Sequence, residues 1–400
     1  MIVDENKVVN YAGGIEKVIC DFANEFVNRG YECTIVCMDE EHGKPVYALN
    51  NKVDFINLWY SYGKDNFGGI SYFIRKIEKE LLRSICGSGM RLFRKKIADP
   101  KQEYYNRNFI ERLSNCISEK KPDCIVVISS DSAYLAQSAA GGSDIPIIGM
   151  CHMDPSRIIP YMSERSFEAW KKCTVLQAPL KKYVEDINKA GIGNVVHIPN
   201  PVAQICDGAT ADLSLPKNRI VTVGRIDGCV KRQHILIEAF AQLASKHTDW
   251  TVHIYGNIAN KRYKQKLDKL VKNYHLEKKV IFEGVSQDIN SCLRNSDIFA
   301  FPSEHEGFGL ALAEAMAIGL PIVCYAGCGL AGEAIENEVN GMLAKEDSVE
   351  DFAAKLEQLM DNKELRVEIG RAARDSMRQY AAKNVWDKWE AVLNGNMNIS

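Results

Sequence analysis

Short runs of β-branched and apolar residues alternate with amphipathic segments along almost all of the 400 residues. This alternation constrains the fold most strongly, because each apolar run is typical of a buried strand and each intervening segment of a helix that covers a sheet. Repeated β-α units also make successive strands parallel. The sequence therefore predicts an α/β protein built on doubly wound parallel sheets.

The predicted strands form two series, which together with the chain length indicate two domains. The first series comprises residues 32–39, 53–59, 123–130, 146–152, 173–178 and 194–199, and a helix opens after Gly13-Gly14. The second comprises strands 220–224, 251–255, 280–283, 298–302 and 321–325, with helices over 233–246, 261–274 and 309–318. Only residues 1–3 read as a first strand, and this short run favours a natural start upstream of Met1.

We place the first domain at residues 1–200 and the second at 219–375. Residues 201–218 are rich in Pro, Asp and Ala without a clear period, so they are predicted to be the linker. We expect 376–400 to form a C-terminal helix that packs back on the first domain.

Composition excludes several classes of protein. A net charge of -2 argues against a general nucleic-acid binder, which needs a strong excess of Lys and Arg. Thirteen scattered cysteines without a C-x-x-C pair indicate reduced thiols, and charges precede any apolar region at the start, unlike a signal peptide. We therefore expect a cytoplasmic protein.

The segment 68–101 carries nine Lys and Arg against three Asp and Glu, interleaved with apolar and aromatic residues. This composition fits peripheral contact with an anionic membrane surface, which would place the protein at the inner face of the cytoplasmic membrane. It fits equally well a solvated helix whose apolar face packs on its own domain. The sequence leaves both readings open.

The strongest functional signal is the run from Pro302 to Ala315, PSEHEGFGLALAEA. Glu306 and the sequence Gly307-Phe308-Gly309-Leu310 come directly after a predicted buried strand and open a helix. Ligands bind at this end of strands in α/β sheets, and free N–H groups at a helix start can hold a phosphate. Glu306 and Glu314 can each accept hydrogen bonds from sugar hydroxyls.

A second signal follows the first strand of the second domain, in the run Val223-Gly224-Arg225-Ile226-Asp227-Gly228-Cys229-Val230-Lys231. Arg225 and Lys231 are expected to face the same crevice. Fixed cations there would stabilise a departing diphosphate, whose negative charge grows as the bond to the sugar breaks. Taken alone, either cation is more often a surface charge.

The run E-G-F-G-L-A-L-A-E resembles the E-x7-E motif of family-4 glycosyltransferases, and the likeness extends over nearly the whole chain. The resemblance implies the GT-B architecture, in which two Rossmann-like doubly wound domains face each other across a cleft. It implies that Glu306 contacts the donor sugar, that Glu314 contacts the nucleotide ribose, and that residues 307–310 border the donor. It also implies a diphosphate clamp of Arg225 and Lys231, the latter preferred over Arg232.

The resemblance extends to the first domain. Gly13-Gly14-Ile15-Glu16 is similar to a family loop in which Gly14 would approach the donor diphosphate. His152, at a predicted strand end, would line the catalytic centre, although a lone His there is commonly structural. Asp154 is a weaker candidate on the acceptor side, because an Asp before Pro also starts turns.

The family likeness implies a retaining transfer from a nucleoside diphosphate sugar, most commonly of UDP, to a saccharide or lipid-linked acceptor in cell-surface polysaccharide synthesis. The sequence contains no D-x-D, so we expect neither a metal ion nor another cofactor. It also lacks a phosphate-binding loop of the kinase type and a serine nucleophile turn. A sugar-nucleotide epimerase of similar fold and a non-catalytic GT-B binding subunit stay open as alternatives.

Overall fold

The computed structural model describes residues 1–5, 8–11, 13–63, 74, 77, 100–206, 208–228 and 230–396. The basic segment 68–101 lies outside these residues except at 74, 77, 100 and 101, so its membrane contact stays a prediction. Within the described residues, no helix is long and apolar enough to cross a bilayer.

The chain divides into two compact units. The first comprises Met1–Ala178, Lys182–His197 and Ala391–Ser400, and the second comprises Pro179–Lys181 and Ile198–Glu390. The residues predicted as a linker fall in the second unit, where the Ala211 N–H donates to the Ile318 carbonyl and the Lys217 N–H donates to Asp297. Backbone hydrogen bonds therefore attach 201–218 to the second unit despite the lack of periodicity.

The first unit contains a seven-stranded parallel sheet in the order β3-β2-β1-β4-β5-β6-β7. Its strands are β1 Ile2–Val3, β2 Thr34–Cys37, β3 Asp54–Asn57, β4 Ile125–Val127, β5 Ile147–Met150, β6 Val175–Ala178 and β7 Val195–His197. Its helices are α1 Gly14–Asn28, α2 Pro100–Lys120, α3 Ser130–Ala140, α4 Pro155–Ile158, α5 Glu164–Lys171 and α6 Lys181–Lys189, of which the first residue, Lys181, is assigned to the second unit.

The second unit contains a six-stranded parallel sheet in the order β10-β9-β8-β11-β12-β13. Its strands are β8 Arg219–Val223, β9 Thr251–Tyr255, β10 Val280–Gly284, β11 Ile298–Phe301, β12 Ile322–Tyr325 and β13 Met342–Ala344. Its helices are α7 Gln233–Leu243, α8 Lys261–Asn273, α9 Ile289–Arg294, α10 Leu310–Ile318, α11 Ala331–Ala334, α12 Val349–Asp361 and α13 Lys363–Ser376, and α14 Ala382–Leu393 runs on into residues of the first unit.

Burial explains why these segments form these elements. β11 and β12 are buried at every position, as central strands covered on both faces must be. α8 buries Tyr263, Leu267 and Val271 at helical spacing, and the Asn260 side chain caps its start by accepting from the Tyr263 N–H. The predicted α/β class with two doubly wound parallel sheets is confirmed.

The strand order of the second sheet determines where a ligand site can form. The order reverses between β8 and β11, which are hydrogen-bonded neighbours although about 75 residues separate them in sequence. The loops that leave the carboxyl ends of these two strands therefore emerge side by side. One contains Arg225 and Lys231, and the other contains Glu306.

Candidate functional site

The Glu306 loop is fixed by backbone hydrogen bonds at both ends. On one side the Glu304 N–H donates to the Val230 carbonyl at 2.9 Å, and on the other the Leu330 N–H donates to the Phe308 carbonyl at 2.8 Å. These bonds hold the loop between the chain that follows β8 and the chain that follows β12. Main-chain contacts therefore fix the loop at both of its ends.

Helix α10 begins directly after this loop. Gly309 is its N-cap residue in the left-handed region, with φ 93° and ψ 55°, and no side-chain capping bond is made at the helix start within the described residues. A residue with a β-carbon is disfavoured in that conformation, which accounts for glycine here. The first N–H groups of α10, with the positive end of the helix dipole, are therefore available to an anion.

Lys231 lies against Glu306. Its Nζ donates to Glu306 Oε1 at 2.5 Å, and the two side chains are only 17% and 13% exposed. The ammonium also lies 5.3 Å from the centre of the Phe301 ring. A β-carbon at Gly224 would lie 3.0 Å from Lys231 Cδ, so the lysine stem rests directly on that glycine.

Arg225, the other predicted cation, is half exposed and pairs with Asp227, Nη2 to Oδ2, at 3.9 Å. Its backbone carbonyl accepts from Gln233 Nε2 at 2.9 Å. The structure therefore brings Lys231 directly against Glu306, while the Arg225 side chain lies nearer the solvent beside an acidic neighbour.

Arg232, the adjacent cation, has a different environment from Lys231. It is buried, its Nε donates to the Pro302 carbonyl at 3.2 Å, and its Nη1 binds Asp347. Its guanidinium lies 5.0 Å from the centre of the Tyr325 ring. Arg232 therefore ties the start of α7 to the base of the Glu306 loop, a structural contact that spacing in the sequence did not indicate.

The other residues of the run from Glu306 to Glu314 are either buried or partly exposed. Phe308 is 4% exposed and packs edge-on against Tyr380, with ring centres 5.9 Å apart. It can therefore meet a ligand through its main chain only. Gly307, Leu310 and Glu314 are partly exposed, with Glu314 in the second turn of α10.

Two predicted site residues belong to the first unit. Gly14 is the exposed first residue of α1, and His152 lies two residues beyond the end of β5. β1 and β5 are parallel strands with β4 between them, so both residues lie at the carboxyl edge of the first sheet. Their role toward a donor stays a prediction.

His152 is half-buried, and its Nε2 has no hydrogen-bond partner within the described residues. Burial lowers the pKa of its imidazole to about 4, so the ring is neutral at physiological pH. Asp154 instead caps α4, where its Oδ1 accepts from the Ser156 N–H at 3.0 Å. That contact gives Asp154 a local structural role.

Side chains of the types that can ligate a metal lie close together elsewhere in the second unit. Among the described residues, the group close enough to coordinate an ion is His247, Glu357 and Asp361, and it does not include Glu306. The metal independence of the candidate site stays a prediction.

One contributor to the site was missed by sequence reasoning. Gly329, in the left-handed region with φ 53°, lies under the Glu306 loop, and a β-carbon there would be 2.9 Å from the Phe308 carbonyl oxygen. The signal available was the run Gly327-Cys328-Gly329-Leu330 after a predicted strand. Such a run is common in turns, and only the structure shows that it supports this loop.

Two family models match consecutive parts of the chain. Residues 12–203 match the model described as Glycosyltransferase Family 4, and residues 211–376 match Glycosyl transferases group 1. An uncharacterized glycosyltransferase of Haemophilus influenzae is 24% identical over 96% of this chain and 97% of its own length.

A more local match is the poly(ribitol-phosphate) alpha-N-acetylglucosaminyltransferase of Staphylococcus aureus. It is 30% identical over 43% of this chain, and the match spans only 35% of that relative. Among solved structures, Anabaena HepE in complex with UDP and glucose superposes with a TM-score of 0.71 at 17% identity, covering 98% of both chains. That likeness concerns the fold.

Proposed function

Because this chain belongs to the family-4 glycosyltransferases and has the GT-B fold, we propose that it transfers a sugar from a nucleoside diphosphate sugar to a saccharide or lipid-linked acceptor. Within that proposal, the anomeric configuration is retained and no metal ion takes part. The glycosyltransferase class itself follows from the family membership.

The contact between Lys231 and Glu306 carries the proposal. A shielded ammonium from the loop after β8 lies beside a carboxylate from the loop after β11, which leads into the start of α10, so two adjacent loops offer three different groups. The carboxylate can accept hydrogen bonds from sugar hydroxyls. The ammonium and the helix N–H groups can stabilise phosphate oxygens.

The reaction can be written with these groups in place. The bond between the anomeric carbon and the diphosphate oxygen breaks, and its electron pair goes to that oxygen. Lys231, Arg225 and the first N–H groups of α10 stabilise the growing charge. The acceptor oxygen attacks the oxocarbenium-like carbon from the same face, and its proton passes to the departing phosphate oxygen.

UDP sugars are the expected donors. Support comes from the HepE structure, which contains UDP and glucose, and from the S. aureus relative, whose name specifies transfer of N-acetylglucosamine. The latter name also specifies a polymer acceptor, which supports a role in cell-surface polysaccharide synthesis. We further propose that the enzyme works in the cytoplasm at the inner membrane face, for which the composition of segment 68–101 is the support.

A donor screen followed by a transfer assay tests the proposal. The full chain should be stabilised in thermal melts by one of a panel of nucleotide sugars. With that donor and a matched acceptor, NMR of the product should show the anomeric configuration of the donor, and EDTA should leave turnover unchanged. An inverted product or a dependence on added metal would contradict the mechanism.

Two controls separate the alternatives. Incubation with donor alone should leave the sugar stereochemistry unchanged, whereas an epimerase would convert it without an acceptor. Glu306→Gln and Arg225→Ala should both reduce transfer while still allowing the protein to fold. Near-normal turnover in both variants would discard the site assignment, and donor binding without any transfer would indicate a non-catalytic subunit.

A further inference from the structure

A second group of ligand-type side chains lies on the opposite edge of the same sheet. One ligand atom each from His247, Glu357 and Asp361 falls within 4.8 Å of the other two. His247 lies in the turn that follows α7, where its N–H donates to the Leu243 carbonyl, and the two acidic residues lie one turn apart at the end of α12. The turn after α7 therefore supplies one imidazole, and α12 supplies two carboxylates.

The imidazole is the unusual member of this group. The His247 side chain is only 8% exposed, and its Nε2 has no hydrogen-bond partner in the described part of the chain. Nε2 points to Glu357 Oε1 at 3.6 Å and to Asp361 Oδ1 at 3.7 Å, both beyond hydrogen-bond length. Nε2 is therefore a buried nitrogen that faces two carboxylate oxygens without lying within hydrogen-bond length of either.

We propose that His247, Glu357 and Asp361 bind a divalent transition-metal ion, for which Zn²⁺ is the best match. Zn²⁺ binds imidazole nitrogen and carboxylate oxygen at about 2.0–2.2 Å in a tetrahedral arrangement, so neighbouring ligands lie roughly 3.4 Å apart. The observed separations of Nε2 from the two oxygens are close to this spacing. The imidazole disfavours Mg²⁺ and Ca²⁺, which prefer oxygen ligands.

Lys246 now occupies part of the space between the carboxylates. Its Nζ lies 2.8 Å from Glu357 Oε1 and 3.1 Å from Asp361 Oδ2, but its side chain is 60% exposed. An exposed ion pair of this kind contributes little stability, so a dication can displace the ammonium into solvent. The ends of α7 and α12 also direct the negative ends of their dipoles toward the cluster, which favours a cation.

Topology separates this cluster from the donor site. α7 starts beyond the carboxyl end of β8 and runs back to the edge where β9 begins, and α12 runs in the same sense after β13. His247 and Asp361 therefore lie at the amino edge of the sheet, opposite Glu306. A metal here would join α7 to α12 as a structural clamp and would take no part in transfer.

Zinc titration of the full chain, stripped with EDTA and then dialysed, tests the site. Calorimetry should show one Zn²⁺ per chain, and the melting temperature should rise by about 5 °C or more once free Zn²⁺ exceeds the dissociation constant a hundredfold. His247→Asn and Glu357→Gln should each weaken binding at least tenfold. Lys246→Met should strengthen it several-fold, because the competing ammonium is gone.

His275→Asn and Glu364→Gln are matched controls that change an exposed histidine and an exposed glutamate outside the cluster. Both should bind Zn²⁺ like the unaltered chain. Binding weaker than about 1 mM, or binding equally affected by the controls, would overturn the proposal. If His247→Asn fails to fold, the partly exposed Glu357 variant still decides the question, and neither readout depends on transferase activity.

Discussion

Replacing Lys231 by Met tests the central contact of the candidate site. The change removes the ammonium next to Glu306 but keeps most of the apolar stem that lies on Gly224. The two side chains are less than one-fifth exposed, so solvent screens the charge only weakly. Loss of one such preorganised group in other enzymes lowers kcat by about 10²–10³, or roughly 2.7–4 kcal/mol of transition-state stabilisation. We expect a decrease in kcat of that size.

A double-mutant cycle distinguishes a catalytic from a purely structural lysine. If Lys231 only holds Glu306 in place, Lys231→Met should cost nothing further in a Glu306→Gln background. If its ammonium contacts the departing diphosphate, the substitution should still lower kcat at least about tenfold in that background. The assay is single-turnover transfer at saturating donor, with urea unfolding of each variant to confirm folding.

Lys264 provides a matched control in the same unit. Its side chain is 18% exposed, pairs with Asp268 and lies 3.9 Å from the centre of the Phe282 ring, much as Lys231 lies near Phe301. Lys264→Met should leave kcat unchanged. Full activity of Lys231→Met, or a loss that disappears without the Glu306 carboxylate, would refute the role assigned to the ammonium.

Three further predictions concern stability and loop position. Gly329→Ala should weaken UDP binding in calorimetry, because the new methyl group pushes against the Phe308 carbonyl oxygen. Gly142→Ala is the control: it also lies at positive φ, but its methyl group would meet no atom within 4 Å. It should cost only about 1–2 kcal/mol of backbone strain in urea unfolding. Arg232→Met should lower the free energy of unfolding by about 1–3 kcal/mol while kcat per folded molecule changes little, and a loss confined to kcat would contradict its structural role. Burial lowers the pKa of His152 from 6.5 to about 4, so as the pH falls the unfolded chain takes up the proton before the folded chain does. The free energy of unfolding should therefore decrease by up to about 3 kcal/mol between pH 6.5 and pH 4. His152→Asn should flatten this pH dependence, as measured by urea unfolding at each pH.

The runs of β-branched and apolar residues in the sequence identified most strands but not the residues at which the strands end. Residues 298–302 were predicted as a strand and the structure has Ile298–Phe301, because pairing with β8 and β12 ends before Pro302. The three-residue edge strand Met342–Ala344 was missed, since so short a run has no measurable period. Strand limits depend on partners from distant parts of the chain, which one sequence does not reveal.

The candidate site was predictable where a residue type is dictated by local geometry. Glu306 and Gly309 follow a buried strand and open a helix, and the order of those elements is readable from the sequence. The environments of Lys231 and Arg232 were not predictable, because the two residues are adjacent, carry the same charge and lie at nearly the same distance along the chain from Arg225. The backbone directs Lys231 to the Glu306 carboxylate and Arg232 to the Pro302 carbonyl, and this arrangement depends on the assembled sheet.

Gly224 and Lys231 share one small volume, and this has an evolutionary consequence. A β-carbon at position 224 would lie 3.0–3.3 Å from three Lys231 methylenes, which would have to shift by a few tenths of an ångström. Substitutions at the two positions are therefore coupled, because a larger residue at 224 requires the chain at 231 to shift. In a pairwise mutational scan the two positions should therefore show epistasis, with the cost of a larger residue at 224 depending on the side chain at 231.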